Sequence, residues 1–231
     1  MTNIADIVVG FDQREAVAYH TFVQSVIENS SMPVRFLPLN MQALSNYKEV
    51  HKDGSNDFIY SRFLVPHLMD FKGWAIYADG DMVCLEDIKK LWNLRDPKYA
   101  LQVVKHNYKT KVKNKYWGNK NEDYPRKNWS SLILWNCEHP SHKILTPSFI
   151  QNQTGAFLHR LSWIKNEEIG ELKKEWNWLA MEYEEKNDIN LVHYTIGTPC
   201  FKEYEHSSLS YYWKKSFLNL LQGYFNKNKI G

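Results

Sequence analysis

Ile4-Ala5-Asp6-Ile7-Val8-Val9-Gly10 opens the chain with a short aliphatic run that stops at a glycine. Such a run reads as a strand buried on both faces. Tyr19, Phe22, Val23, Val26 and Ile27 then recur at helical spacing until Asn29-Ser30-Ser31 breaks the pattern. Val34 to Leu39 is a second strand candidate. Strand, helix and strand within so short a stretch make a βαβ unit, which implies a parallel sheet and an α/β fold.

Working outward, Asp57 to Phe71 is expected to be helical, with Pro66 distorting or ending it. Trp74 to Ala78 reads as another short buried strand, Glu86 to Trp92 as a short helix, and Tyr99 to Val104 and Ser131 to Trp135 as further strands. Lys105 to Lys127 is polar, aromatic and basic, and is expected to be a long loop of the kind that carries function. Trp163 to Met181 is expected to be helical in part, and Leu191 to Tyr194 to be a strand leading into His193-Tyr194-Thr195-Ile196-Gly197-Thr198-Pro199.

The chain has 231 residues, a length that favours one domain with at most a small appendage. The division expected is residues 1–205 as the catalytic domain and 206–231 as an aromatic and basic tail. The formal net charge of +3 lacks the strong basic excess of a general nucleic-acid binder. Cys84, Cys137 and Cys200 form neither a CxxC pair nor a zinc pattern, and a reduced intracellular setting is the simplest reading. With no secretory signal and no membrane-spanning run, a cytoplasmic location is expected. Trp and Tyr number 9 and 14, enough to furnish either an aromatic core or a groove for hydroxyl-bearing ligands. Trp129, Trp163, Trp176 and Trp178 are candidates for sugar stacking, with core packing the plainer alternative for each.

The chemistry centres on Tyr77-Ala78-Asp79-Gly80-Asp81-Met82-Val83. Two carboxylates separated by a glycine follow a buried strand, and ligands of parallel α/β sheets gather at the carboxyl ends of strands. Hard divalent cations take oxygen ligands, and Mg²⁺ uses one or two carboxylates together with substrate phosphate. The plainer alternative is a solvated turn that caps the next helix. An EF-hand loop counted from Asp79 would need Glu where Lys90 stands. His193 is a candidate third ligand for Mn²⁺ or a similar ion, or else a structural histidine. Gly197, in the loop beyond it, offers backbone N–H groups for phosphate. Arg62, within Tyr60-Ser61-Arg62, presents a donor fork suited to phosphate, or pairs with a carboxylate on a helix surface.

Gly10-Phe11-Asp12 after the first strand, Tyr60-Ser61-Arg62, Tyr-Ala-Asp-Gly-Asp-Met-Val and the distal His-Tyr-Thr-x-Gly together resemble glycosyltransferase family 8, from about Ile4 to Phe201. The resemblance implies a GT-A (Rossmann-like) fold: a mixed, mainly parallel sheet flanked by helices. It implies a UDP-sugar or other nucleotide-sugar donor, and Mn²⁺ or Mg²⁺ held by Asp79, Asp81 and His193. It implies base contact from Gly10, Phe11 and Asp12, donor contact from Arg62, and hexose transfer with retention to a glycan or lipid-linked acceptor. The chain departs from the family pattern at three places. Gly197 follows His193 by four positions and no Lys precedes Pro199, so Lys202 is the candidate for the diphosphate contact. Asn128-Trp129-Ser130-Ser131 stands at the family's sugar-contact segment, making Trp129 and Ser130 donor-site candidates with Gly80. Asn166-Glu167-Glu168 stands at its acidic-amide pair, making Glu167 and Glu168 catalytic candidates, with a solvated face the plainer alternative.

Two other functions use the same residue types. A metal-dependent phosphoesterase or nucleotidyltransferase also needs paired acids and a histidine, and a non-catalytic module would bind a nucleotide sugar without turnover. In the tail, Tyr211, Trp213, Phe217, Leu218, Leu221, Tyr224 and Phe225 interleave with Lys214, Lys215, Lys227 and Lys229. That pattern suits either an interfacial helix on the inner face of an anionic membrane or a helix packed on the domain.

Overall fold

The computed structural model describes residues 4–52, 56–115 and 118–225. In chain order the strands and helices are β1 (Ala5–Gly10), α1 (Ala16–Glu28), β2 (Val34–Leu39), α2 (Val65–Leu68), β3 (Trp74–Ala78), β4 (Met82–Cys84), α3 (Ile88–Trp92), β5 (Leu101–Val104), β6 (Leu132–Asn136), α4 (Pro147–Gln151), α5 (Gly155–His159), β7 (Ile169–Leu172), β8 (Trp178–Leu179), β9 (Leu191–His193) and α6 (Ser210–Phe225). A six-stranded sheet runs β2-β1-β3-β6-β5-β7, and a three-stranded sheet runs β4-β9-β8. In the larger sheet β1 is parallel to β2 and to β3, and β5 is parallel to β7, while β6 runs antiparallel between β3 and β5.

The opening βαβ unit forms as its sequence dictates, with Ile7 paired to Phe36 on one side and Ile76 on the other. The period of two along each central strand divides the core. Ile7, Val9, Ile76, Ala78, Leu132 and Leu134 face Phe22 and Val26 of α1 and Ile88 and Leu91 of α3. Val8, Ala75, Tyr77, Ile133 and Trp135 face the other way, toward Phe63, Ile150 of α4 and Leu158 of α5. Both faces are therefore covered, which explains why these strands are apolar throughout.

Two expectations are corrected. Trp163 to Met181 holds no α-helix; it carries 3-10 turns and the strands β7 and β8. Gly170 fits there because a Cβ would lie 2.5 Å from the Tyr99 ring, so the glycine lets β7 pack flat beside β5. Trp176 and Trp178 from this stretch are buried and Trp163 stacks on Trp135, the core packing that was the plainer alternative, although Trp178 also borders an open cavity with Lys174, Tyr183 and Lys186. Asp57 to Phe71 is a 3-10 turn over Ser61–Leu64 followed by the single turn of α2. The helix stops where Asp70 and Phe71 both take positive φ.

The small sheet builds a third cluster in which Val83, Trp178, Val192 and Tyr194 meet Trp213 of α6. α6 also packs against α1. Lys227 and Lys229 of the tail lie outside the described residues. No helix among the described residues is long and apolar enough to cross a membrane.

Candidate active site

Asp79 leaves β3 at its carboxyl end, and the chain turns through Gly80 and Asp81 into β4. The turn needs its glycine: a Cβ on Gly80 would lie 2.5 Å from the carbonyl oxygen of Gly10, where the end of β1 passes. β4 then pairs with β9 in a register that sets Met82 opposite His193, and the Tyr194 amide donates to the Asp81 carbonyl at 2.9 Å. This pairing carries a histidine from far along the chain to the acidic turn. Asp79, Asp81 and His193 each bring one ligand atom to within 4.8 Å of the others.

The polar surroundings fix each group. Arg62 is buried, and its guanidinium lies 3.0 Å from Asp79 Oδ1 and 3.2 Å from Oδ2. The same nitrogen donates to the Ser130 carbonyl at 3.0 Å. Tyr77 donates its hydroxyl to Asp79 Oδ1 at 2.6 Å. Burial pushes the Asp79 carboxyl above its ordinary value, with Arg62 opposing the shift. Burial acts on Asp81 in the same sense, but His193 and Lys115 more than offset it and hold that carboxyl low.

His193 is oriented by a relay. Ser131 donates to the Asn128 carbonyl at 2.7 Å, which leaves its oxygen to accept the Asn177 amide at 2.8 Å. That fixes Asn177 Oδ1 toward His193 Nδ1, 3.0 Å away, so Nδ1 carries the proton. Nε2 is the nitrogen left facing the acids, 3.4 Å from Asp81 Oδ1 and 4.0 Å from Asp79 Oδ2. Asp81 Oδ1 is itself buried without a hydrogen-bond partner. Two carboxylates, one of them with an orphaned buried oxygen, and an imidazole whose Nε2 faces both fit a divalent cation of the Mn²⁺ or Mg²⁺ type. Outer partners of this kind typically change metal affinity by about 10–100-fold. Asn177→Leu, which cannot accept the Nδ1 proton, is therefore expected to weaken Mn²⁺ binding by that order, read by titration calorimetry, while Asp79 and Asp81 remain in place.

The other candidates distribute unevenly. Ser130 lines the cleft with Asp79, Asp81, Arg62 and His193. Trp129 stands beside it, half-buried, donating to the His106 carbonyl with Arg126 over its ring. Gly10, Phe11 and Asp12 occupy the end of β1, beside the end of β3. The Asp12 carboxylate already accepts from Arg14 and from the Asp57 amide, and Phe11 packs on Tyr19.

Four other expected positions make different contacts. Glu167 and Glu168 precede β7, where the Glu168 carbonyl accepts from the Ala100 amide ahead of β5. That is the amino end of the parallel pair, across the sheet from Asp79. Glu168 instead accepts from Ser141 and the Lys165 amide, a local structural role. Lys202 is exposed and borders a separate cavity with Pro199, Trp213 and Phe217. The Gly197 amide is spent on the Tyr194 carbonyl at 2.9 Å, and Tyr204 packs where its Cβ would stand.

Lys115, from the long loop, does reach the cleft beside Arg62, 3.1 Å from Thr195 Oγ1. Asn177, Thr195, Tyr124 and His159 also belong to the site or its support and were not singled out by sequence. A run of basic residues inside a long loop was the available signal for Lys115. None existed for Asn177, whose role depends on β8 lying beside β9.

Residues 7–137 match the pattern of glycosyl transferase family 8. Protein CDI of Arabidopsis thaliana is 40% identical over 232 residues, covering 96% of this chain and 88% of that protein. Among solved structures, the apo bifunctional glycosyltransferase WbbM superposes with a TM-score of 0.66 at 13% identity, over 94% of this chain and 50% of that one. This chain thus spans about half the length of WbbM. The galactosyltransferase LgtC, solved with donor and acceptor sugar analogues, gives 0.58 at 12% identity, over 93% and 95% of the two chains. GlyE of Streptococcus pneumoniae gives 0.60 at 14% identity, over 99% of this chain and 64% of its own. At such identities these structures speak for the fold, which is that of the GT-A glycosyltransferases. With the family pattern lying across β1, the acidic turn and β6, and a relative alike over nearly the whole length, the chain belongs to glycosyltransferase family 8 and is a glycosyltransferase.

Proposed function

We propose that this enzyme moves a hexose from a UDP-sugar to a glycan or lipid-linked acceptor, with retention, using Mn²⁺ or Mg²⁺ held by Asp79, Asp81 and His193. The observation that carries the reading is the buried trio itself, with Nε2 of His193 turned toward both acids by Asn177. A cation held there by Asp79, Asp81 and His193 would supply Lewis-acid stabilisation to the diphosphate. Arg62 opposes the effect of burial on the Asp79 carboxyl and aims it, and Lys115 adds a fixed positive charge beside Asp81. Preorganised charges of this kind act on the negative charge that develops on the leaving group, and each is worth about 2.7–4 kcal/mol.

In the transfer, the bond from the anomeric carbon to the β-phosphate oxygen breaks and its electron pair stays on phosphate. The acceptor hydroxyl oxygen bonds to the same face of that carbon and gives its proton to the departing phosphate oxygen. No carboxylate base is required, which agrees with Glu167 and Glu168 standing away from the cleft.

A thermal-shift screen of nucleotide sugars with and without Mn²⁺ tests this reading. Only one donor together with metal is expected to raise the melting temperature, because a ligand that binds the folded state alone stabilises it by mass action. A rise with phosphate esters and none with any nucleotide sugar would favour a phosphoesterase.

The proposal extends to a cytoplasmic enzyme working at a membrane face through α6. Trp213 anchors that helix, while Tyr211, Leu218 and Leu220 are exposed. Tyr211 and Leu218 share one face of the helix with Lys215 between them, a mixture of apolar and basic groups as in interfacial helices. Sedimentation with phosphatidylserine vesicles is expected, and Leu218→Asp should abolish it; recovery in the supernatant at low salt would refute the membrane role.

A further inference from the structure

Beside the cleft that holds Asp79 and Asp81 opens a cavity of about 670 Å³. The two share a wall made by Ile59, Lys115, Tyr124 and His159. The cavity lies between the loop that follows β5 and the residues at the two ends of α5. Its size suits a ligand larger than one sugar ring. The ring of Tyr124, 43% exposed, provides the flat face and polar tip that saccharides use.

Charge in this cavity is one-sided. Lys115, Lys120, Lys127 and Arg160 line it against the single carboxylate of Glu122. They stand on two opposed walls, the lysines on the loop and Arg160 just beyond α5. None of the four cations makes a carboxylate ion pair within 4.0 Å among the described residues. Lys127 is buried, and its ammonium group is held by the neutral oxygens of Asn121 and Glu122, the latter a backbone carbonyl at 2.8 Å. Burial lowers its pKa to about 8, and burial lowers that of Lys115 as well. Lys115 already answers to Asp81, Asp79 and Glu182, but the exposed Lys120 and Arg160 have no carboxylate partner among the described residues and, with Lys127, can take an anion that enters the cavity. The diphosphate of a donor belongs at the trio with Arg62, so it does not account for Lys120 and Arg160 farther out.

Resting on the glycosyltransferase reading of the Asp79 site, we propose that this cavity is the acceptor subsite and that its occupant is an acidic saccharide, with a carboxylate or phosphate held among Lys120, Lys127 and Arg160. The acid would come from the acceptor and not from the transferred sugar.

The test uses the full chain saturated with UDP and Mn²⁺, titrated with glucuronate, galacturonate and glucose 6-phosphate against glucose and galactose. At least tenfold tighter binding of the acidic sugars is expected. The double variant Lys120→Gln/Arg160→Gln, both exposed positions, should lose at least fivefold of it, and Lys120→Glu should lose more. Which of the uronates or the phosphate binds best identifies the acidic group. Equal binding of neutral and acidic sugars, or acidic binding untouched by these substitutions, overturns the proposal. So does a charge preference found only between UDP-glucuronate and UDP-glucose, which would put the acid on the donor. UDP affinity in Mn²⁺, measured on the same preparations, separates the two failures: intact UDP binding with no acidic preference defeats this inference alone, and absent UDP binding defeats the donor site beneath it.

Discussion

Asp81→Ala is expected to remove metal-dependent donor binding while leaving the fold intact. Asp81 contributes a buried oxygen that no protein donor satisfies, at the meeting point of Asp79 and His193. Without it, one carboxylate and one imidazole remain, too few to compete with water for a hard cation. The loss should exceed the roughly 10–100-fold typical of an outer partner. Wild type at about 100 times its dissociation constant gains about 2.7 kcal/mol from a ligand specific to the folded state. For a chain of this size that is a rise of roughly 5–10 °C in melting temperature. The variant should show no rise, with an unchanged near-ultraviolet circular dichroism spectrum. Unchanged nucleotide-sugar affinity in Mn²⁺ would remove Asp81 from the site.

The second large effect is on stability. Arg62→Ala leaves the Asp79 carboxylate in the interior with Tyr77 as its remaining donor. Burial opposes the charge on Arg62, but Asp79, followed by Tyr77, more than restores it, so the pair stands or falls together. Breaking a buried pair from one side typically costs about 3–5 kcal/mol, more than surface pairs are worth. A fall of roughly 6–20 °C in melting temperature follows. Mn²⁺ should recover part of this loss in the variant, because a cation beside Asp79 replaces the missing positive charge. Arg62→Lys should fall between the two, since an ammonium lacks the guanidinium fork that serves Asp79 and the Ser130 carbonyl together. A ligand-free Arg62→Ala as stable as wild type would show that Asp79 is neutral in the folded protein.

Both predictions concern residues that were legible in the sequence. Asp79 and Asp81 stood out because an aliphatic strand ran directly into them, and Arg62 because it preceded them in a familiar order. Glu167 and Glu168 were chosen by order along the chain, which says nothing about which end of the sheet a loop occupies. Glu168 starts β7, which is parallel to β5, so it lies at the amino end while the cleft lies at the carboxyl end. Trp163 to Met181, a mixture of acids, lysines and tryptophans, read as helical in part, yet pairing of Ile169 with Leu101 and of Trp178 with Val192 made strands of it.

The sequence by itself determined the opening βαβ unit, the two-sided burial of β1, β3 and β6, and the position of the acidic turn at a strand end. These follow from local periodicity, because side chains alternate along a strand and recur along a helix whatever surrounds them. The tertiary structure alone decided that His193 meets Asp81 through the β4–β9 register, that Asn177 turns its ring, and that Lys115 rather than Lys202 reaches the cleft. Those contacts join residues distant in the chain through hydrogen bonds and burial, and only the folded packing of both sheets brings them within reach.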